Sequence, residues 1–174
     1  MIILGSKSDA KILKESGMTE VFKSCEVSYE IFIISAHRNH AELFAFVVKN
    51  YKENEPAVYI AAAGMAAALP GAIACLDPIT PVIGVPLPSA EFPDALDALL
   101  SMVRMPPGTP VMVPGIGKSG LKNAAVAACQ ILAASDGLVA ERLYQFRIKT
   151  NKPAEIPFVE DEEPVRLSSP RNQE

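Results

Sequence analysis

The chain holds two histidines, and both fall in one short stretch, Ser35-Ala36-His37-Arg38-Asn39-His40. An imidazole changes charge near neutral pH, so either can give or take a proton under cellular conditions. Arg38, between them, carries a planar guanidinium suited to a phosphate or a carboxylate. The preceding residues, Ile31-Phe32-Ile33-Ile34, are apolar and β-prone and stop abruptly at the polar ones. That pattern predicts a buried strand that delivers the polar groups to the carboxyl edge of a sheet, where open α/β folds place their chemistry. The histidine pair resembles metal ligands only in its spacing. With no third histidine and no HExxH pattern, no metal is expected.

Two other stretches offer partners for such chemistry. Gly5-Ser6-Lys7-Ser8-Asp9 follows the apolar run Met1 to Leu4 and precedes a helical pattern, so it joins a strand to a helix start whose free N–H groups point at an anion. Ser6 or Ser8 can cap that helix, or either hydroxyl can meet a ligand. Asp9 repels a phosphate, but its carboxylate can accept hydrogen bonds from ribose hydroxyls. Neither a Walker sequence nor a dinucleotide fingerprint is present. Ala61 to Gly71, AAAGMAAALPG, has the most unusual composition in the chain. Alanine and glycine let backbone approach backbone or ligand closely, so this reads as a strand-to-helix turn forming the wall of a small pocket. No side chain from Ala62 to Leu69 can do acid–base work.

The elements that position these stretches follow from apolar periodicity. Strands are predicted at Met1 to Leu4, Val27 to Ile34, Ala57 to Ala62, Pro81 to Val85 and Pro110 to Val113. Helices are predicted at Ala10 to Ser24; from Asn39 as cap with Leu43, Phe44, Val47, Val48 and Tyr51 as buried stripe; and at Asp94 to Arg104, with Pro93 suited to its first turn. A further helix, with Leu121, Ala124, Ala128 and Leu132 on one face, runs to Ser135, and Leu138 to Thr150 reads as another after the break at Gly137. Strands and helices alternating in this way are the signature of a doubly wound parallel sheet.

With 174 residues the chain reads as one α/β catalytic domain over residues 1–152, followed by an acidic, proline-rich tail at 153–174. The tail has six acids against two bases and so holds the whole formal charge of −4, while the body has 14 of each sign. A neutral body gives no basic footprint for nucleic acid. Apolar residues make up 49% of the chain, yet no run approaches a membrane span, and MIILGSKSD lacks the basic head of a signal peptide. The excess apolar surface is therefore expected in subunit interfaces of a cytoplasmic protein, not in lipid. Cys25, Cys75 and Cys129, odd in number and far apart, read as reduced core thiols.

Five blocks in order, LGSKSD, SAHR, AGMAAALPG, PVIGVPLPS and DALLSMVRMPPGTPV followed by KNAAVAACQIL, resemble the N5-carboxyaminoimidazole ribonucleotide mutases and the related aminoimidazole ribonucleotide carboxylases of purine biosynthesis. The match covers residues 1 to 135. The resemblance implies a flavodoxin-like three-layer fold, a homo-octamer with sites at subunit contacts, and no metal or organic cofactor. It further implies a small-molecule ribonucleotide substrate, whose carboxylate moves from the exocyclic nitrogen to a ring carbon through decarboxylation and recapture of CO2. Carried over by position, Ser6, Asp9 and Arg38 hold the ribose phosphate, Ser35 and the backbone near Ala63 and Gly64 shape the pocket, and His37 transfers the proton. The bacterial mutases generally show GAGGAAHLPG, with a histidine where this chain has Ala68 and a glycine where it has Met65. The CO2-using carboxylases also lack that histidine, but they carry SAHK and a loop close to AGRSN. Arg38 and the LPG turn side with the mutases. A CO2-using aminoimidazole ribonucleotide carboxylase is the alternative, followed by a carboxylase of another mononucleotide, such as a pyridinium one, and by a non-catalytic ribonucleotide-binding paralogue.

Overall fold

The computed structural model describes residues 1–53 and 55–151. Four parallel strands, β1 (Ile2–Leu4), β2 (Ile31–Ile33), β3 (Tyr59–Ala63) and β4 (Val82–Pro86), lie in the order β2-β1-β3-β4. Ile2 pairs with Ile31 on one side and Ile60 on the other, and Ile60 pairs with Ile83. The predicted fifth strand is reduced to one parallel bridge, in which Met112 exchanges backbone hydrogen bonds of 2.8 and 3.0 Å with Gly84 and Val82 beyond β4. The resulting order is the flavodoxin-like 2-1-3-4-5.

Side chains alternate across a strand, and here the alternation divides two cores. Ile2, Leu4, Ile60 and Val85 face α1 (Asp9–Lys14), α2 (Met18–Cys25), α6 (Gly117–Ala133) and α7 (Gly137–Thr150). Ile3, Tyr59 and Ala61 face α3 (His40–Lys52), α4 (Leu69–Leu76) and α5 (Leu96–Val103). With helices on both faces, β1, β3 and β4 are buried throughout, which is why they read as continuous apolar runs. Three layers and a doubly wound parallel sheet therefore stand as the sequence predicts.

Several local expectations are corrected. The first helix is two: the Ser16 hydroxyl donates to the Leu13 carbonyl (2.7 Å) and accepts from the Met18 N–H (3.1 Å), while Gly17 takes φ 74° and turns the chain. The second strand is three residues long and is not buried. As an edge strand it leaves Ile31 and Ile33 more than 40% exposed, because the helices on that side pack over β1, β3 and β4. The buried side of α3 is Leu43, Val47 and Asn50, with Phe46 packed against Phe32 at 4.6 Å between ring centroids and their planes inclined by 59°, and Phe44 is exposed. α5 starts at Leu96 and not at Asp94, because Ala95 has a left-handed backbone (φ 55°) that cannot continue a helix, and the Asp94 carboxylate accepts from the Leu96 N–H instead. Cys25 and Cys129 are buried side by side, and burial together with the neighbouring Cys25 pushes the Cys129 thiol up to about 12. Cys75, by contrast, is exposed on α4 and is no core residue. No described helix is long and apolar enough to cross a membrane. The acidic stretch 153–174 lies outside the described residues.

Candidate active site

The chain winds outward from β1 to β2 on one side and then crosses to β3 on the other. Loops leaving the carboxyl ends of β1, β2 and β3 therefore diverge at one point, and a crevice opens between them. A cleft of about 370 Å³ lies there, lined by Gly5 after β1, by Ser35 to Arg38 after β2, and by Ala63 to Leu69 around the turn from β3 into α4.

The β2 loop is tied by its own polar groups. The Ser35 hydroxyl accepts from the Arg38 N–H (3.3 Å), the Asn39 side-chain carbonyl accepts from the Ser35 N–H (3.4 Å), and the Ser35 carbonyl accepts from the Asn39 N–H (2.8 Å). Asn39 thus stands at the N-cap position of α3 as predicted, but its side chain bonds backward and not into the helix. The outcome is a rigid turn in which Ser35 is buried while His37 and Arg38 are exposed at the cleft. His40 begins α3 and does not line the cleft.

The opposite wall is nearly all backbone. The Ala63 carbonyl accepts from the Leu87 N–H (2.9 Å), which pins the end of β3 to the Pro86-Leu87-Pro88 segment. Gly64 is held against that segment so tightly that a Cβ there would lie 2.8 Å from the Leu87 carbonyl oxygen. Only a residue without a side chain fits. α4 begins next, with Pro70 in its first turn, and its unbonded N–H groups and dipole favour negative charge at this end of the cleft.

Ser6 and Asp9 follow Gly5 after β1 and are not among the lining residues. The Ser8 hydroxyl donates to Ser6 Oγ (2.9 Å), and neither serine caps α1 through its side chain. Asp9 is only 7% exposed, and burial raises its pKa. The Ser6 backbone, the Ser8 hydroxyl and the nearby Arg38 guanidinium pull in the other direction. A carboxylate and a guanidinium near each other can share a polar ligand, one as acceptor and the other as charged donor. The sheet edge thus brings together Ser35, His37, Arg38, Ala63 and Gly64, with Asp9 and Ser6 alongside. Sequence reasoning did not single out Gly5 as a lining residue, and it placed Met65 in the pocket wall only as part of the Ala61 to Gly71 stretch. The signal for Gly5 was its place directly after β1, and for Met65 that it is the one long side chain in an alanine and glycine run.

The chain as a whole is similar to known proteins. The profile of the AIR carboxylase family matches residues 1–153. The N5-carboxyaminoimidazole ribonucleotide mutase of Methanocaldococcus jannaschii is 45% identical over 151 residues, which is 87% of this chain and 89% of that protein. The enzyme of the same name from Escherichia coli is 42% identical over 146 residues, 84% of this chain and 83% of its own. The crystal structure of Treponema denticola PurE superimposes with a TM-score of 0.72 at 27% identity, covering 86% of this chain and 89% of that one.

Proposed function

Because the chain belongs to the AIR carboxylase family, we propose that it isomerises N5-carboxyaminoimidazole ribonucleotide to 4-carboxy-5-aminoimidazole ribonucleotide in purine biosynthesis. The observation that carries this reading is identity of 42 to 45% with mutases of that name over most of both chains. The cleft supports it by offering one imidazole and one guanidinium on a fixed turn, facing a wall of small residues.

The reaction needs little more than a proton carrier and a closed space. As the carbamate C–N bond breaks, CO2 leaves and the exocyclic nitrogen takes a proton, which His37 supplies. The ring carbon then attacks CO2 to form the new C–C bond, and the proton displaced from that carbon returns to His37. The imidazole ends as it began, so no net oxidation and no external acid are required. His37 is the catalytic residue of this scheme. Arg38 and Ser6 hold the phosphate and Asp9 the ribose hydroxyls. Ser35 fixes the turn that carries His37 and Arg38, while Ala63 and Gly64 bring the backbone of the far wall up to the ligand. The working form is a cytoplasmic homo-octamer built on the 1–152 domain.

The second reading, an enzyme that carboxylates aminoimidazole ribonucleotide with dissolved CO2, is favoured by Ala68, which leaves the α4 side of the cleft without a second imidazole. One assay separates the two. The protein receives either the carbamate or aminoimidazole ribonucleotide, in labelled bicarbonate with carbonic anhydrase present. Rapid turnover of the carbamate with little label in the product is the expected result. Fully labelled product formed only from the uncarboxylated nucleotide assigns the carboxylase, and failure of the protein to rescue growth of a purine auxotroph lacking its native enzyme discards both.

A further inference from the structure

α7 turns Val139 and Leu143 inward, where they join the core under α2 and α6. A surface helix ordinarily keeps its outer side polar. This one does not: Tyr144 is 59% and Ile148 45% exposed, and with Ala133 and Ala140 they line a groove of about 700 Å³ between α6 and α7. Arg147 and Asn151 line the same groove. Asn151 is also the last described residue, so the 23 residues that follow leave from the groove itself. The match to the family profile stops at residue 153, which makes the segment beyond it a feature of this chain and not of the shared domain.

The composition of that segment complements the groove. Ile156-Pro157-Phe158-Val159 is a short apolar run, flanked by the carboxylates of Glu155 and of Glu160-Asp161-Glu162-Glu163. α7 carries three bases, Arg142, Arg147 and Lys149, against one acid, Glu141. Arg142 is engaged by Glu26 at 2.7 Å, whereas Arg147 and Lys149 are in no ion pair with another described residue. Reach is sufficient, since an extended chain advances about 3.3 to 3.6 Å per residue and a helix about 1.5 Å. Phe158 stands seven positions past Asn151 and can run back to the Ala140 end of the groove, eleven helical positions away, with chain to spare for a turn. Being joined to the groove holds the segment at an effective concentration of about millimolar, so a weak contact suffices. A second copy presenting the same face would instead set Arg147 and Lys149 among like charges.

We propose that the groove between α6 and α7 is the docking site of the chain's own segment 155–163, with Ile156 and Phe158 in the groove and the flanking carboxylates on Arg147 and Lys149. The inference is independent of the reaction assigned above. Ile31, Ile33, Phe44 and Leu138 are left for contacts between subunits.

Amide hydrogen exchange of the full chain, read by mass spectrometry, tests the contact. Amides of 155–163 should exchange about tenfold more slowly in wild type than in Ile156→Ser/Phe158→Ser or in Arg147→Glu, each checked for folding by circular dichroism. A wild-type segment that exchanges as fast as in these variants overturns the proposal. A Gln130→Cys/Pro157→Cys variant oxidised with glutathione disulfide then tells whose segment fills the groove. A disulfide between positions 130 and 157 within one chain, running at 18.6 kDa on a non-reducing denaturing gel, is the expected result. Dimers joined through these positions assign the groove to a second copy's segment and overturn the proposal, as does the absence of any bond between them.

Discussion

At the scale of single residues, the proposed chemistry rests on His37 and on which groups lie close to it. His37→Asn should lower turnover by about 100- to 10,000-fold, the usual contribution of a general acid–base group, while His40→Asn should leave it near wild type because His40 is not among the residues that line the cleft. Steady-state kinetics on both variants checks the pair, and the reverse pattern exchanges the assignments. Asp9 illustrates a different balance. Burial raises its pKa, so the folded protein holds that proton more tightly than the unfolded chain does. Stability therefore falls as pH rises from the ordinary carboxylate value through the raised one, and at neutral pH the buried charge is a net cost to the free protein. Asp9→Asn should raise the urea midpoint at pH 7, flatten that dependence and weaken ribonucleotide binding. A variant that is less stable and binds as before contradicts this reading.

Among the elements, the turn between β3 and α4 decides the shape of the cleft. Gly64 sits against backbone, which does not yield as a flexible side-chain tip does. Gly64→Ala should therefore cost about 1 to 3 kcal/mol of stability, as other overpacking changes do, and should lower nucleotide affinity because the wall must move. Thermal unfolding and a binding isotherm test the two parts separately. The β2 loop is positioned in another way, by bonds within five residues, Ser35 to Asn39, so its geometry is local. One wall is thus set by tertiary contact and the other by its own sequence.

For the whole molecule, the described surface leaves apolar side chains uncovered: Ile31 and Ile33 on the edge strand, Phe44 on α3, and Leu138 on α7. Edge strands with exposed β-branched residues invite pairing or covering, and apolar patches of this kind mark interaction surfaces. Together with the 49% apolar composition, this supports the homo-octamer proposed above. Sedimentation velocity at micromolar concentration should show a species near eight times 18.6 kDa, and a stable 18.6 kDa monomer would contradict it.

Much of this protein is determined locally and is therefore legible in the sequence. The alternation of strands and helices, the runs of β1, β3 and β4, and the placing of Ser35, His37, Arg38, Ala63 and Gly64 at strand ends all follow from periodicity and from where apolar runs stop. The family blocks, read in order, add the substrate class. Other features depend on what lies across the fold. The exposure of β2 is decided by strand order, since an edge strand and a central strand with the same residues look alike in sequence. The choice of Phe46 over Phe44 as the inward ring is decided by Phe32 on a neighbouring element, and the break at Gly17 by a serine whose hydroxyl can serve a helix end or solvent equally well. The requirement for glycine at Gly64 could not be told from sequence in a run of small residues. Gly64 is required by a carbonyl more than twenty positions away, and the left-handed backbone of Met65 shows only in the fold. A side chain's neighbours in the chain set its local conformation, but its neighbours in space set whether that conformation is buried, strained or free to act.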